Sequence, residues 1–368
     1  MAKKDKPGRL SIEQMRKLIN KKAGQKVAVD LADKNNATIV KQWIPTGSRW
    51  LDSIICRGKM GGIPMGKVSE IAGLEASGKS YMATQIAANA QKMGIDVVYF
   101  DSESALDFDF VEKSGCDASK ILYSQATSVE FVLETIEELL KSNDSQMLFI
   151  WDSLALTPAI SDIEGDFNPQ SSMAVKARIL AKGMSKLTIP LAQSQSAFLV
   201  LNQLKTNITR SPTEVFTTPY VTPGGKAMIY AYSLRIWLTR PKAKVSFVTD
   251  EKGYRIGNTV KVKIEKSRFG SQGRQCQFKI LWGGEVGIAD EESWFDAIQG
   301  SDHLDRSGAW YELKYKDGTS TKFQSVKWVE FLKDEKFRNR ALEIMDEEMV
   351  LKFKERTGDA SKYYDAEA

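Results

Sequence analysis

The sequence contains almost no histidine and few cysteines, which removes several kinds of site chemistry. The single histidine, His303, lies in the polar stretch QGSDHLDRSG, so a histidine-based catalytic triad or a multi-histidine metal site has no basis. The three cysteines, Cys56, Cys116 and Cys276, are far apart and form no CxxC pair. This spacing argues against a disulfide framework and a structural zinc site, and it predicts a reducing, cytoplasmic setting.

Long apolar runs are also absent. No stretch approaches the roughly 18 apolar residues of a membrane helix, and the first fifteen residues, MAKKDKPGRLSIEQM, lack the apolar segment of a secretory signal. The chain has 52 Lys and Arg against 47 Asp and Glu, so its net charge does not identify a nucleic-acid partner. With 42% hydrophobic and 27% charged residues, the composition is that of a folded protein with a large core.

Basic residues are nevertheless concentrated at the start of the chain. Residues 1–26 carry nine Lys or Arg against Asp5 and Glu13. The apolar residues of LSIEQMRKLINKK, residues 10–22, recur at helical spacing, and Gly24 follows as a stop signal. We therefore expect residues 1–38 to form a basic helix and linker that docks on a partner or a neighbouring subunit. Charge alone fits a solvated tail equally well.

From Val68 onward, short apolar runs alternate with longer segments of helical periodicity. The runs are VSEIAG (68–73), VVYFD (97–101), MLFIWD (147–152) and FLVLNQ (198–203), and the helical segments span 79–93, 128–141 and 173–197. Strands that helices cover on both faces are continuously apolar, so this alternation predicts an α/β fold with a mostly parallel central sheet. Later runs, separated only by turns, predict an antiparallel extension of that sheet; they span 233–238, 245–248, 259–265 and 277–282.

The pattern changes again after Gly283. Residues 284–350 are predicted to form a small α/β domain with a hairpin in WYELKYKDGTSTKF, and residues 351–368 a flexible polar tail. The core domain then spans residues 39–283.

The strongest local motif is GLEASGKS at residues 73–80, which fits GxxxxGK[ST] between a predicted strand and a predicted helix. In such a loop the backbone N–H groups surround phosphates, the lysine neutralises β- and γ-phosphate oxygens, and the serine hydroxyl coordinates Mg²⁺. The predicted nucleotide-binding residues of this segment are Gly73, Leu74, Glu75, Ala76, Ser77, Gly78, Lys79, Ser80 and Tyr81.

Acidic residues end two of the predicted strands. In MLFIWDS, Asp152 stands where a carboxylate can reach the Mg²⁺ held by Ser80. YFDSES places Asp101 and Glu103 after another strand, and Glu103 is the available group to orient or deprotonate an attacking water, since no histidine is near. An acid favoured by the dipole of a helix N-terminus would explain Glu103 equally well.

Two long polar loops are predicted near strand ends, at residues 161–173 and 204–226. The second follows Asn202 and Gln203, whose side-chain amides could contact a γ-phosphate. The cations of the second loop are Lys205, Arg210 and Lys226. They could bind the backbone of a nucleic-acid strand, whereas ordinary surface loops would account for the charges equally well.

Lys266 and Arg268 form a basic pair just after a later strand. They are either surface cations or groups that reach a phosphate in a neighbouring subunit, as an arginine finger does. Their sequence position leaves both interpretations open.

The order of these motifs resembles the RecA family of homologous-recombination proteins, and within it the phage-encoded, UvsX-like recombinases. The similarity runs from Ile39 to Met349 and comprises GGIPMGKVSEIAGLEASGKS, DSESALD, WDSLALTP, DIEG, LNQ, TPGGKA and, near the C-terminus, GAWY. It implies a RecA-type P-loop ATPase core. It also implies an ATP- and Mg²⁺-dependent recombinase that forms a helical filament on single-stranded DNA and pairs it with a homologous duplex. The resemblance further implies a single-strand-binding protein and a loader as partners. It implies the cytoplasm, of an infected host if the chain is phage-encoded, as the location.

The same resemblance assigns roles to individual residues. Glu103 is the water-activating carboxylate, Gln203 couples the γ-phosphate to the second loop, and Lys79 holds the phosphates. Asp107, Phe110 and Trp282 are assigned to the adenine side of the site. The resemblance assigns DNA contacts to Met173, Arg178, Ile208, Gly224 and Gly225, which join the loop cations Lys205 and Arg210 as predicted DNA-binding residues. It assigns the subunit interface to Tyr230, Lys266 and Arg268.

Two other functions share these motifs. A hexameric RecA-fold helicase has the same nucleotide motifs but translocates through a closed ring, and a regulatory clamp binds ATP and oligomerises without acting on DNA. Unwinding of a forked duplex without strand exchange would favour the helicase. Failure to bind oligo(dT) would favour the clamp.

Overall fold

The computed structural model of the protein describes residues 10–24, 26–31, 33, 36, 39–55, 58–165, 173–208, 219–240, 244–283 and 286–352. Within these residues the helices are α1 (Ile12–Ala23), α2 (Arg49–Ile55), α3 (Lys79–Lys92), α4 (Phe108–Lys113), α5 (Val129–Ser142), α6 (Ile160–Glu164), α7 (Met173–Ser194), α8 (Gly225–Ala231), α9 (Asp290–Ile298), α10 (Trp328–Phe331) and α11 (Glu335–Glu348). The strands are β1 (Trp43–Ile44), β2 (Ile63–Pro64), β3 (Val68–Gly73), β4 (Asp96–Asp101), β5 (Ile121–Gln125), β6 (Met147–Asp152), β7 (Ala197–Gln203), β8 (Lys205–Thr206), β9 (Tyr220–Val221), β10 (Leu234–Thr239), β11 (Phe247–Thr249), β12 (Arg255–Ser267), β13 (Gln275–Leu281), β14 (Gly287–Ala289), β15 (Leu304–Ser307), β16 (Trp310–Lys314) and β17 (Ser320–Gln324).

A large mixed sheet organises the chain in the order β14-β13-β12-β10-β3-β7-β6-β4-β5, with β11 paired to β12. The strands from β10 to β5 in this order run parallel, whereas β12, β13 and β14 continue the sheet through antiparallel pairs. In the parallel register Gly73 lies opposite Gln203, and Asp101 lies opposite Asp152. Because the carboxyl ends of parallel strands share one edge of a sheet, these four residues meet at that edge.

Helices cover both faces of the parallel strands, which explains why the strands are apolar throughout. One core lies between the sheet and α3 and includes Ile71, Met82 and Leu199. The other lies between the sheet and the pair α5 and α7 and includes Phe149 and Leu187. All residues of β3 and of β6 are buried. The predicted α/β fold class is confirmed.

Local signals account for α1. The Gln14 N–H donates to Ser11 Oγ, and the Ser11 N–H donates to the Gln14 side chain, which together form a capping box. Gly24 ends the helix in a left-handed conformation with φ of 68°. No residue of α1 is buried, and the apolar side chains of Ile12 and Leu18 are 74% and 58% exposed. The predicted helix is confirmed, and its apolar face is exposed in the part of the chain that the structure describes.

The C-terminal elements α9 to α11 and β15 to β17 enclose an aromatic cluster of their own. The ring of Phe323 contacts those of Trp328 and Phe337, with centroids 5.6 and 5.2 Å apart. β16 and β17 form the hairpin predicted in WYELKYKDGTSTKF. Trp50 packs against both this cluster and the main core, so it links the two parts. Within the described part of the chain, no helix has both the length and the apolar character needed to cross a bilayer.

Two details of the sheet differ from expectation. The assignment of residues 233–238 to the antiparallel extension is wrong, because β10 is parallel to β3 and antiparallel only to β12. The chain reaches β10 through the segment that contains α8, as the crossover between parallel strands requires. β5 was not expected as a strand: it is the edge strand of the sheet, and its Leu122 and Tyr123 are exposed, so it lacks a continuous apolar run.

Candidate functional site

The loop between β3 and α3 has the geometry of an anion-binding cradle. Ala76 and Gly78 adopt left-handed conformations, with φ of 51° and 88°, before α3 begins at Lys79. The left-handed φ of Gly78 favours glycine at this position, and a Cβ there would also lie 2.3 Å from Ile280 Cδ1. The first N–H groups of a helix lack partners within the helix and can bind an anion.

Two polar side chains in this loop fit a bound phosphate. Ser77 Oγ is buried and has no hydrogen-bond partner among the described residues. Lys79 Nζ lies 3.2 Å from the carbonyl oxygen of Leu74 and 3.5 Å from that of Gly73, so its ammonium group lies against the loop. Burial lowers the pKa of Lys79, and nearby carboxylates, Asp152 foremost, oppose that shift. An anionic phosphate would satisfy both the hydroxyl and the partly buried ammonium group.

Asp152 lies next to the start of α3 and accepts hydrogen bonds from two hydroxyl groups. Ser80 Oγ donates to Asp152 Oδ2 at 2.8 Å, and the Tyr99 hydroxyl donates to the same oxygen at 2.9 Å. Burial raises the pKa of Asp152, the two hydroxyls lower it, and the Glu103 and Asp101 carboxylates raise it further. Mg²⁺ takes hard oxygen ligands, usually one or two protein oxygens together with phosphate. The Ser80–Asp152 pair fits such an ion, whose charge would offset the repulsion among the carboxylates.

Glu103 lies on a loop that is tied to the end of β6. Its Oε1 accepts a hydrogen bond from Ser153 Oγ at 3.0 Å. The Asp101 carboxylate accepts hydrogen bonds from the N–H groups of Glu103, Ala105 and Leu106 at 2.8, 3.0 and 3.1 Å. Asp101 therefore shapes the loop that carries Glu103. The Glu103 carboxylate is exposed at the same sheet edge as Asp152.

The residues predicted on the adenine side form two groups. Phe110 packs edge-to-face on Tyr81 with ring centroids 4.3 Å apart, and Asp107 caps α4 by accepting a hydrogen bond from the Phe110 N–H at 3.0 Å. Trp282 is 40% exposed at the end of β13, two residues beyond the Ile280 that contacts the phosphate loop. Aromatic side chains thus lie at the start of α3 and at the end of β13, where the Arg255 guanidinium lies 5.3 Å from the centre of the Trp282 ring.

A buried polar network lies behind Gln203. Asn202, the preceding residue, donates from Nδ2 to Glu70 Oε1 and to the carbonyl oxygen of Pro223, both at 3.0 Å. Glu70 also accepts a hydrogen bond from Arg235 Nε at 2.6 Å. Both ends of this ion pair are buried, at 0% and 7% side-chain exposure. The network therefore joins β3, β7 and β10 to the last part of the second predicted loop.

The same network extends to Thr222, whose Oγ1 accepts a hydrogen bond from Arg235 at 2.9 Å. Burial raises the pKa of Glu70, and the Arg235 guanidinium opposes that rise. The sequence did not lead to a prediction for Glu70, Arg235, Tyr99 or Ser153. The signal for Glu70, Arg235 and Tyr99 was a polar or ionisable side chain within an otherwise apolar strand, because such a group needs a buried partner.

The residues assigned to DNA lie around the ends of the two predicted loops. Lys205 is exposed in β8, Ile208 is 96% exposed, and Arg178 is exposed on α7. Gly224 and Gly225 adopt left-handed conformations where α8 begins, with φ of 108° and 76°. Met173 is the first residue of α7. Arg210 lies outside the described residues, as do residues 166–172 and 209–218.

The three residues assigned to the subunit interface lie together. Lys266 Nζ donates to the carbonyl oxygen of Ile229 at 2.6 Å, and Arg268 donates to that of Tyr230 at 2.7 Å. Tyr230 is 68% exposed. Both cations lie next to the carboxyl end of α8 and near the amino end of β3, since the Arg268 N–H donates to Ser233, whose own N–H donates to Val68. They are therefore not next to Lys79 of the same chain.

The fold and this sheet edge define a class of protein, the P-loop ATPases with a mixed α/β sheet. Comparisons with known proteins show which family of this class the chain belongs to. The family described as RecA N-terminal domain matches residues 10–288. The chain is 32% identical over 293 residues to Protein RecA of Streptomyces coelicolor, covering 80% of this chain and 74% of that protein.

Two further relatives give the same result. Protein RecA of Sulfurimonas denitrificans is 34% identical over 301 residues, covering 82% of each chain. Protein RecA of Amycolatopsis mediterranei is 33% identical over 308 residues, covering 84% of this chain and 82% of that protein. The chain belongs to the RecA family. It is a RecA-type recombinase with a DNA-dependent ATPase activity. Membership of the phage-encoded subgroup stays a prediction.

Proposed function

We propose that this protein binds ATP with Mg²⁺ at the sheet edge, hydrolyses it within a helical filament on single-stranded DNA, and pairs that strand with a homologous duplex. One observation carries the proposal: the phosphate loop, the Ser80–Asp152 pair and Glu103 meet at one edge of the sheet. Gln203 lies at the same edge and starts the second predicted loop.

Each charged residue at this edge has a separate task. Mg²⁺, when bound, neutralises phosphate charge and fixes the orientation of the phosphates. Lys79 binds the β- and γ-phosphate oxygens, and Ser80 and Asp152 hold the metal ion directly or through water. Glu103 orients the attacking water or takes its proton, and Ser153 holds the Glu103 carboxylate in position. Asp107, together with the rings of Tyr81, Phe110 and Trp282, receives the adenine.

The second part of the proposal is a site shared between protomers. Lys266 and Arg268 lie away from Lys79 of their own chain and next to the exposed Tyr230, which supports a role on the nucleotide of a neighbouring subunit. The exposed apolar face of α1 supports the same arrangement, because a neighbouring protomer would cover it.

We propose that the DNA strand lies along the two loops. Arg178, Lys205 and Arg210 would bind its backbone, and Met173 and Ile208 would contact or separate its bases. Gly224 and Gly225 would let the backbone at the end of the second loop approach the strand. Gln203 would pass the presence of the γ-phosphate to this loop.

We also propose the division of the chain into an arm (1–38), an ATPase core (39–283), a C-terminal domain (284–350) and a tail (351–368). The separate aromatic cluster around Phe323 supports the third of these units. A single-strand-binding protein and a loader are proposed as further partners, and the cytoplasm, of an infected host if the chain is phage-encoded, as its location.

The test is steady-state ATP hydrolysis with and without long single-stranded DNA over a range of salt concentrations. We expect strong stimulation by DNA that is lost at high salt, because phosphate contacts release counterions. Hydrolysis that does not respond to DNA, or failure to bind oligo(dT), would contradict the proposal and favour the ATP-binding clamp.

A further inference from the structure

Lys176, in the first turn of α7, points its charge into the protein. Its Nζ donates to the carbonyl oxygens of Thr157 at 2.6 Å and of Leu154 at 3.0 Å, and it lies 3.5 Å from that of Ala155. An ammonium group has three donors and no acceptor, so three converging carbonyls satisfy it fully. Burial lowers the pKa of Lys176, and Asp162 opposes the shift.

The turn that Lys176 contacts, residues 153–157, directly follows Asp152 at the end of β6. The Thr157 N–H and hydroxyl both donate to the Ser153 carbonyl oxygen, at 3.2 and 3.0 Å. Trp151 Nε1 donates to the Thr157 hydroxyl at 2.8 Å. The segment from Trp151 to Thr157 is therefore closed on itself by hydrogen bonds.

This turn is also the support of Glu103. Ser153 Oγ donates to the Glu103 carboxylate at 3.0 Å, and the Ser153 N–H donates to Ser102 Oγ at 2.9 Å. The Ser102 N–H in turn donates to the Asp152 carbonyl oxygen at 2.6 Å. A continuous set of hydrogen bonds thus runs from Lys176 through the turn to Glu103.

We propose that Lys176 is a positioning residue that couples the first DNA loop to Glu103. The loop begins within α6, whose Asp162 lies close enough to oppose the pKa shift of Lys176, and it returns into α7 at Met173, less than one helical turn before Lys176. Lys176 transmits this change to the turn, and Ser153 transmits it to the Glu103 carboxylate. The inference rests on the proposed function, since it requires DNA at the loops and hydrolysis at Glu103.

The test replaces Lys176 with a side chain of similar length that has no charge. For Lys176→Met we expect kcat at saturating single-stranded DNA to fall by about tenfold, within the range of measured coupling effects. The KM for ATP and the salt dependence of DNA binding should not change, because Lys176 touches neither ligand. Lys182→Met is the matched control, since Lys182 is an exposed cation of the same helix.

A double-mutant cycle separates coupling from loss of structure. Ser153→Ala removes the hydrogen bond from Ser153 to Glu103, at the other end of the same set of contacts. The kcat of the double variant with Lys176→Met should therefore be no lower than the lower kcat of the two single variants. Full additivity of the two effects would overturn the proposal. If Lys176→Met does not fold, as judged by its thermal melting, Lys176→Gln replaces it: its amide can still donate to a carbonyl group but cannot reach all three, so kcat should fall by less than for Lys176→Met, and a kcat equal to that of the unchanged protein would overturn the proposal.

Two further results would overturn the inference. One is a kcat for Lys176→Met within twofold of the unchanged protein. The other is a change in how DNA binding depends on salt: the slope of log affinity against log salt concentration falls by about 0.7, which corresponds to one lost phosphate contact on a single strand. In that case kcat would be restored at saturating DNA. Lys176 would then be a DNA contact. If the unchanged protein itself shows no DNA-stimulated hydrolysis, the proposed function fails, and that result is distinct from either of these.

Discussion

Hydroxyl groups orient both carboxylates of the nucleotide site. Tyr99 and Ser80 donate to Asp152, and Ser153 donates to Glu103. A carboxylate held by such donors keeps both its charge and its direction, which the coordination of Mg²⁺ and the orientation of water each require. At the scale of single residues, two kinds of substitution can therefore be compared. One removes the charge of a carboxylate, and the other removes only a hydrogen bond to it.

Glu103→Gln removes the proposed base and keeps the shape of the side chain. We expect kcat for ATP hydrolysis to fall by about 10²- to 10⁴-fold, because general base catalysis is lost, while binding of a fluorescent ATP analogue is retained. Glu134→Gln, at an exposed position on α5, is the control. Hydrolysis at the unchanged rate would remove Glu103 from its role.

Tyr99→Phe removes one hydrogen bond from Asp152 and no charge. The Tyr99 hydroxyl lowers the pKa of Asp152 by stabilising its ionised form, so without it the pKa rises further above the ordinary value. Activity that requires ionised Asp152 is lost as pH falls through that pKa. The acid limb of kcat/KM against pH should therefore move to higher pH.

Tyr123→Phe is the matched control for this pH profile. Its hydroxyl donates to Asp101 at 3.3 Å and not to Asp152, so its acid limb should coincide with that of the unchanged protein. An acid limb that stays in place in Tyr99→Phe would show that Asp152 does not govern the profile.

At the scale of secondary-structure elements, one buried ion pair joins two strands and a hydrogen bond to it joins a third. Glu70 on β3 and Arg235 on β10 lie on neighbouring strands, and Asn202 on β7 completes the contact from the other side. Through Thr222 and Pro223 the network also fixes the chain that enters α8. The second loop thus ends on a rigid support.

Glu70→Gln should destabilise the fold by about 3–5 kcal/mol, because it leaves the buried Arg235 guanidinium without its counter-charge. Chemical denaturation followed by tryptophan fluorescence measures this change. Glu70→Gln combined with Arg235→Met removes both charges and should recover most of the loss. A Glu70→Gln variant as stable as the unchanged protein would contradict a structural role for the pair.

The parts of the fold that were predictable are those with a local signal. The apolar runs of β3 and β6 follow from burial on both faces, and GLEASGKS follows from the close packing and phosphate geometry of its loop. β5 was not predictable, because an edge strand has no second covering layer. The contact of Tyr99 with Asp152 joins residues 53 positions apart and arises from strand register, which no local pattern encodes.

The distribution of charged groups over the whole molecule indicates assembly. One sheet edge holds the phosphate loop and Glu103, whereas Lys266 and Arg268 lie near the amino end of β3. An interface that joins unlike surfaces of successive protomers would bring the two groups together, and it forms an open helical filament when the rotation between protomers does not close into a ring. The uncovered apolar face of α1 fits the same type of interface.

A mixture of two inactive variants tests this arrangement. Glu103→Gln lacks the base, and Lys266→Ala with Arg268→Ala lacks the cations, so each filament alone should hydrolyse ATP slowly. In a random equal mixture about one quarter of the interfaces combine an intact Glu103 with an intact cation pair. We expect DNA-stimulated hydrolysis near that fraction of the unchanged rate. A mixture no faster than its components would contradict the shared site.

The most direct test of the recombinase assignment is strand exchange between circular single-stranded DNA and linear duplex DNA in the presence of ATP and Mg²⁺. We predict that a homologous duplex gives joint molecules and displaced strand, whereas a duplex of unrelated sequence gives neither, because base pairing reads the homology. Unwinding of a forked duplex without any exchange on the homologous pair would contradict this account and identify a helicase.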